Sequence, residues 1–322
     1  MRGSPHNLCP MDSVAIDRFE AGRDRLASLA YRLLGSAADA EDAVQDTFLR
    51  WQAADRERIE VPEAWLTRVV TNLCLDRLRS AQARHERAAG AWLPEPLLEG
   101  DPMLGPADTF EQRESVSLAV LTLLERLSPV ERAVYVLREA FSYSHAEIAG
   151  ILDITESASQ QHVHRARIRV AAERRRGGEA DPASARRVVE EFLAAATSGR
   201  TERLVALLTD DVTAVSDGAG LGKRLLRYKT RERVASFARA GFKPTPAKRR
   251  LAGGSPAIHI ALVNGSPAVL AVVDDRVVGA VAFEVSDGKV ASLRGIAAAD
   301  RLARLNEAWR QHEPDAPVIN AW

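Results

Sequence analysis

Residues 142–176 read SYSHAEIAGILDITESASQQHVHRARIRVAAERRR, a short apolar helix, a turn and a second helix loaded with arginine. Ala146, Ile148, Ala149 and Leu152 supply an inner face for the first helix, and Asp153-Ile154-Thr155 makes the turn. Thr155 is placed to cap the next helix, with Glu156 at its positive end. The second helix offers Ser157, Gln160, Gln161, His164, Arg165 and Arg167 outward, while Ala158, Val163 and Ala166 pack inward. Amide and guanidinium groups read base edges in a major groove, and further arginines hold phosphates. The pattern reads as a helix-turn-helix with its recognition helix. A merely solvated arginine face would give the same letters, so the rest of the chain has to choose.

At 322 residues and 46% hydrophobic content, the chain has room for two or three ordinary globular cores. No apolar run approaches bilayer length, which predicts a cytoplasmic protein without a membrane partner. The opening MRGS has the look of a vector-derived segment, with Met11 as the expected native start. Cys9 and Cys74 make neither a disulfide framework nor a metal spacing, so neither metal nor cofactor is expected. Cys74, among Val70, Leu73 and Leu75, reads as core filling. Formal net charge is zero, yet no lysine precedes Lys223. The early cations are therefore arginines and histidines, and arginine suits bidentate contacts to phosphate and guanine.

Composition divides the chain. Residues 12–87 read as helix, and 88–110 contain Pro94, Pro96, Pro102 and Pro106, which makes a linker. Residues 111–176 are helical again, and 177–183 form a second linker. Residues 184–310 begin with amphipathic helices at 185–198 and 201–208. Strands follow at 212–216, 257–263, 268–273, 277–285 and 290–295, with Asn264-Gly265 and Asp287-Gly288 as turns. The fold class is mainly α in the N-terminal two-thirds, with a C-terminal α+β domain.

The 39–51 helix carries Ala40, Val44, Phe48 and Trp51 on one side and Glu41, Asp42, Gln45 and Asp46 around the rest. That is a solvated face or a docking surface. The helix opening at Val61-Pro62-Glu63 has a core stripe of Leu66, Val69, Val70 and Leu73. Arg68, Asn72, Asp76 and Arg79 share another of its faces and could meet one ligand.

DAEDAVQDTFLRW at 39–51, PEAWLTRVVTNLCLDRLR at 62–79, LERLSPVERAVYVLREAFSYSHAEIAGIL at 124–152 and HVHRARIRV at 162–170 stand in this order. Together they resemble the bacterial extracytoplasmic-function sigma factors, RNA polymerase specificity subunits with two helical domains joined by a linker. The resemblance covers roughly the first 175 residues. It implies that the 39–51 helix grips core RNA polymerase, with Asp42, Gln45, Asp46, Phe48 and Trp51 as contacts. It implies that residues between Ala53 and Val61 capture a flipped promoter base, an extrusion that costs a few kcal/mol. It gives Arg68, Asn72, Asp76, Arg77 and Arg79 the −10 element, which they would engage and melt. Ser157, Gln160, Gln161, His164, Arg165 and Arg167 would read the −35 element.

WLPEPL, residues 92–97, is similar to the linker signature of the branch with a fused SnoaL-like (NTF2-like) cone-shaped domain. That branch carries DGGGK, where this chain has Asp217-Gly218-Ala219-Gly220-Leu221-Gly222-Lys223, and NPDKL, where it has Ala298-Ala299-Asp300-Arg301-Leu302. The resemblance implies regulation in cis through Trp92, Leu93, Pro94, Glu95, Pro96, Leu97, Asp217, Gly218, Lys223, Asp300, Arg301 and Leu302. The domain is expected to pack on the first helical domain and the linker. The implied partners are bacterial core RNA polymerase and promoter DNA, with a small-molecule ligand of the C-terminal domain left open. Catalysis is not expected; His259, Asp217 and Tyr228 are its polar candidates. The alternative for the whole chain is a helix-turn-helix regulator with a ligand-binding or enzymatic NTF2-like domain.

Overall fold

The computed structural model describes residues 10–85, 93–105, 115–173, 181–220 and 225–322. Trp92 and Lys223, both given interdomain roles above, lie outside the described residues. So do 88–92 and 106–110 of the expected first linker.

The first helical unit holds α1 (Pro10–Leu34), α2 (Ala37–Ala53) and α3 (Pro62–His85). Ser36 caps α2 by accepting the Asp39 N–H at 3.2 Å. Ala40, Val44 and Trp51 of α2 meet Leu66, Val70 and Cys74 of α3 against Phe19, Leu26 and Tyr31 of α1. Burial pushes the Cys74 thiol up to about 12, so it stays an inert core group.

The second helical unit holds α4 (Leu118–Leu124), α5 (Pro129–Glu139), α6 (His145–Leu152) and α7 (Glu156–Glu173). Ser128 with Glu131 and Ser144 with Glu147 form capping boxes that start α5 and α6. Asp153 turns the chain in the left-handed region at φ 55°, and Thr155 accepts the Ala158 N–H at 3.1 Å, as the turn reading required. The inner face of α6 is Ile148 and Ile151, whereas Ala146 is exposed. In so short a helix a one-residue error of phase moves a small side chain out of the core.

Both helical units share one core. α3 packs on α5 and α6, and α1 packs on α5. Arg25 of α1 donates to the Tyr143 hydroxyl at 2.9 Å and lies over the Phe141 and Tyr143 rings. The same hydroxyl is 3.2 Å from Thr67 Oγ1 of α3.

The C-terminal domain opens with α8 (Pro182–Thr197) and α9 (Thr201–Ala206). β1 (Leu208–Ser216), β2 (Leu226–Lys229), α10 (Arg231–Phe242) and α11 (Pro246–Ala252) come next. β3 (Ala257–Val263), β4 (Ser266–Val273), β5 (Arg276–Ser286), β6 (Lys289–Ile296) and α12 (Ala303–Trp309) complete it. The sheet order is β2-β1-β6-β5-β4-β3, antiparallel except for the β1–β6 pair. This is the helix-and-mixed-sheet arrangement of a SnoaL-like, NTF2-like domain. On one face Val189, Phe192, Leu193 and Val234 of α8 and α10 pack against Ile258, Val269, Phe283 and Leu293. The opposite face receives Leu93 and Leu98 of the linker, Leu118 of α4 and Leu302, Leu305 and Trp309. β2, α10 and α11 were not expected between residues 216 and 257, because cations interrupt their apolar spacing.

Candidate functional site

The helix-turn-helix fixes what α7 shows. Val163 and Ala166 are buried, as is Ser159, which is 2.9 Å from His145 Nδ1. Ser157, Gln160, Gln161, His164, Arg165 and Arg167 are all exposed. Two of these are also engaged with α5: Arg165 pairs with Glu131 at 3.2 Å and Arg167 with Glu139 at 2.8 Å. Glu131 also takes Arg169 at 2.6 Å. Burial alone would raise the Glu131 pKa, but the Ser128 hydrogen bonds and the two guanidinium groups outweigh it and hold the carboxyl below its usual range. A carboxylate with a depressed pKa stabilises the fold above the ordinary carboxylate range and loses that contribution as pH falls through its folded pKa. Glu131→Gln is therefore expected to cost about 2 kcal/mol at neutral pH, the scale of charge-assisted hydrogen bonds. Melts of variant and parent should converge in acid.

On the first helical unit, α2 exposes Asp42 and Gln45 and half-exposes Asp46 and Phe48. Trp51 corrects the expectation of a polymerase contact. It is 2% exposed and its indole N–H donates to Ala15 O at 2.9 Å, so it belongs to the core. Leu49, not singled out from sequence, is 54% exposed beside the acidic residues. On α3, Arg68, Asp76 and Arg79 are exposed and Asn72 is half-buried. Arg77 lies apart from them and faces α2, 2.9 Å from Asp46 and within 3.7 Å of Asp42 and Asp39. Ala54, Asp55, Arg58, Ile59, Glu60, Val61 and Trp65 line an open cleft of about 550 Å³ at the segment expected to hold a flipped base.

The linker is the junction of the molecule. Leu97 enters the helical core, while Leu93 and Leu98 enter the sheet face. Glu95 accepts from Ser36 Oγ at 2.8 Å and from Ala37 N–H at 3.0 Å, at the positive end of α2. Arg301 lies 3.9 Å from it. Burial raises the Glu95 pKa against those partners.

Asn264, at the β3–β4 turn with φ 51°, is 1% exposed and bonds three other segments. Its Oδ1 accepts Leu97 N–H at 2.8 Å, and its Nδ2 donates to Tyr31 Oη and Val116 O, each at 2.8 Å. Tyr31 in turn donates to Glu95 O at 2.7 Å. Arg304 of α12 binds Asp101 at 2.6 and 3.1 Å and also reaches Glu41 of α2. Arg32 donates to Ser115 Oγ at 3.0 Å and Leu104 O at 2.9 Å; burial lowers its pKa to about 10. Sequence reading missed Asn264 as more than a turn former and missed Tyr31, Arg32, Asp101 and Arg304 altogether.

The two motif segments of the C-terminal domain meet at Asp217. Its carboxylate accepts the N–H groups of Ala219, Ala297 and Ala298 at 2.9 Å. Ala219 stands at φ 59°, where glycine would fit without the roughly 1 kcal/mol that a Cβ costs. Gly218 is at φ 61°, Leu302 is buried and Asp300 is exposed. The polar candidates for catalysis are not brought together. Asp217 is occupied as described, His259 lies beside Trp309 on the linker side of the sheet, and Tyr228 stacks on Phe237. A cleft of about 330 Å³ adjoins His259, Trp309, His312 and Arg186. Among the described residues no helix is long and apolar enough to cross a membrane.

A helix-turn-helix unit and an acidic-faced unit, tied to a helix-and-sheet domain, define a promoter-specificity subunit with a fused C-terminal domain. Residues 18–84 match Sigma-70 region 2, and residues 117–170 match Sigma-70, region 4. The ECF RNA polymerase sigma factor SigJ of Mycobacterium tuberculosis is 38% identical over 308 residues, covering 93% of this chain and 96% of SigJ. The ECF sigma factor SigM of the same organism is 37% identical over 149 residues, 46% of this chain and 68% of SigM. The crystal structure of SigJ superposes with a TM-score of 0.67 at 34% identity, covering 90% of this chain and 98% of that one. This chain belongs to the extracytoplasmic-function sigma factors, with a C-terminal NTF2-like domain. It is an RNA polymerase sigma factor acting in transcription initiation.

Proposed function

We propose that the arrangement described is the resting form of the sigma factor, held shut in cis by the C-terminal domain and opened when core polymerase binds. The observation that carries this is the shared core of the two helical units, with α6 against α3. Promoter elements near −10 and −35 lie roughly 25 base pairs apart, about 85 Å of duplex at 3.4 Å per pair. Two readers packed side by side cannot span that distance. The C-terminal domain supports closure because Asn264 touches the first unit, the linker and the start of the second at one point.

In this reading, residues 12–87 and 111–176 are the promoter-binding domains, 88–110 and 177–183 are linkers, and 184–310 regulate. Asp42, Gln45, Asp46, Phe48 and the unforeseen Leu49 dock on polymerase, and Glu41 beside them is shielded by Arg304. Arg68, Asn72, Asp76 and Arg79 engage the −10 element, and the 54–61 cleft receives a flipped base. Arg77 acts from the α2 side and joins them only after Asp46 releases it. Ser157, Gln160, Gln161, His164, Arg165 and Arg167 face the −35 major groove. Glu95, Leu97, Asp217, Arg301 and Leu302 transmit regulation.

Fluorescent labels at Glu20 and Glu156, both exposed, test the reading. Energy transfer is expected to be high in the free chain and to fall by tens of ångströms' equivalent once core polymerase is added, following the roughly 85 Å between elements. Unchanged transfer in the complex would refute closure.

A further inference from the structure

We propose that the helix-side face of the C-terminal domain is a second DNA surface, which grips duplex phosphates beside the −35 element without reading sequence. Residues 225–254 contain nine cations and one acid, Glu232, in a chain whose formal net charge is zero. Lys229, Arg233, Lys243, Arg249 and Arg250 are exposed. Lys248 donates to the main-chain oxygens of Gly241 at 2.7 Å and Lys243 at 3.0 Å, and stands over the Trp322 ring. It thereby fixes α11 against the end of α10 and gathers Lys243, Arg249 and Arg250 at one corner. Lys229 and Arg233 stand at the other end of α10, a helix about 18 Å long, or roughly five base pairs of duplex. Some cations of this segment are committed elsewhere: Arg231 pairs with Asp210 at 2.8 Å, Arg239 donates to Thr201 Oγ1 at 2.7 Å and Arg249 donates to Trp322 O at 3.1 Å.

Sidedness favours this role. α10 packs on the sheet face opposite the one that holds the linker and α12. The basic face therefore stays open while the domain is docked. The tether favours it too. Glu173 ends α7 and Asp181 precedes α8, so eight residue steps hold the start of α8 within at most about 29 Å of the end of α7. That is less than one DNA turn of about 34 Å. With α7 in a −35 groove, which is the part resting on the proposed promoter reading, the nearest polyanion at high effective concentration is the adjoining duplex.

The test is binding of the full chain to a mixed-sequence duplex of about 40 base pairs across about 50 to 200 mM salt. The variant carries Lys229→Gln, Arg233→Gln, Lys243→Gln and Arg250→Gln. Its plot of log affinity against log salt is expected to be shallower by about 2 to 3.6, at about 0.9 per phosphate lost, with affinity down at least about tenfold at the lowest salt. An unchanged thermal midpoint keeps misfolding apart. An unchanged slope, or no duplex binding by the parent chain, overturns the proposal. Capture by anionic phospholipid vesicles with no change in the DNA slope also overturns it and marks a membrane surface instead.

Hydroxyl-radical footprinting of the polymerase–promoter complex gives a second reading. Phosphates protected within about one turn of the −35 element should be released in the variant. An identical footprint contradicts the assignment. Gln160→Ala with Arg167→Ala separates the two ideas: normal initiation by that pair sinks the −35 reading of α7 and leaves the slope test of the basic face standing.

Discussion

Asn264→Gly is expected to release the C-terminal domain from the helical units. Glycine keeps the left-handed backbone at φ 51° and removes only the side chain. Leu97 N–H and Val116 C=O then lose their partners in a buried junction, while Tyr31 keeps its bond to Glu95 O. Each buried group left unsatisfied costs about 1 to 3 kcal/mol, so a combined loss of about 3 kcal/mol shifts the docked equilibrium about a hundredfold. Hydrogen exchange checks this at Glu95 and Glu99, whose N–H groups bond Gly35 O at 2.9 Å and Leu262 O at 3.0 Å. Exchange at both should rise by about that factor. Unaltered protection would mean that the apolar contacts of Leu93, Leu97 and Leu98 hold the linker without the amide.

Arg304→Ala carries the other large effect. The Asp101 side chain is 4% exposed and takes two hydrogen bonds from this guanidinium. Those bonds, with Glu41 nearby, hold the Arg304 pKa above its ordinary value. Removing the cation leaves a buried carboxylate that, among the described residues, keeps the Met103 N–H at 2.9 Å. Breaking one partner of such a pair costs about 3 to 5 kcal/mol, and removing both costs much less. Arg304→Ala with Asp101→Asn should therefore recover most of the docking lost in the single variant. Denaturant titration of the single and double variants measures the coupling. Equal loss in both would show that the unpaired Asp101 charge is not the source of the loss.

Much of the helical architecture was legible because its signals are local. Thr155 three residues before Ala158 and Val163 three before Ala166 fix the helix-turn-helix within one segment. The strands after residue 257 were legible through alternation and the Asn264-Gly265 and Asp287-Gly288 turns. The junction was not. Asn264 and Tyr31 are 233 residues apart, and Arg304 and Asp101 are 203 apart; no periodicity joins them. Asn264 also explained itself too easily, since asparagine before glycine is sufficient for a turn. Trp51 shows the reverse error. Its place on the apolar stripe already argued for the core, and the family resemblance moved it to the surface.

Promoter-directed transcription by bacterial core RNA polymerase, supplied with the parent chain or with Asn264→Gly, bears most directly on a sigma factor restrained by its own C-terminal domain. Both forms should initiate from the same start site, with the variant markedly more active. Silence from both, or a variant weaker than its parent despite a loosened linker, would contradict it.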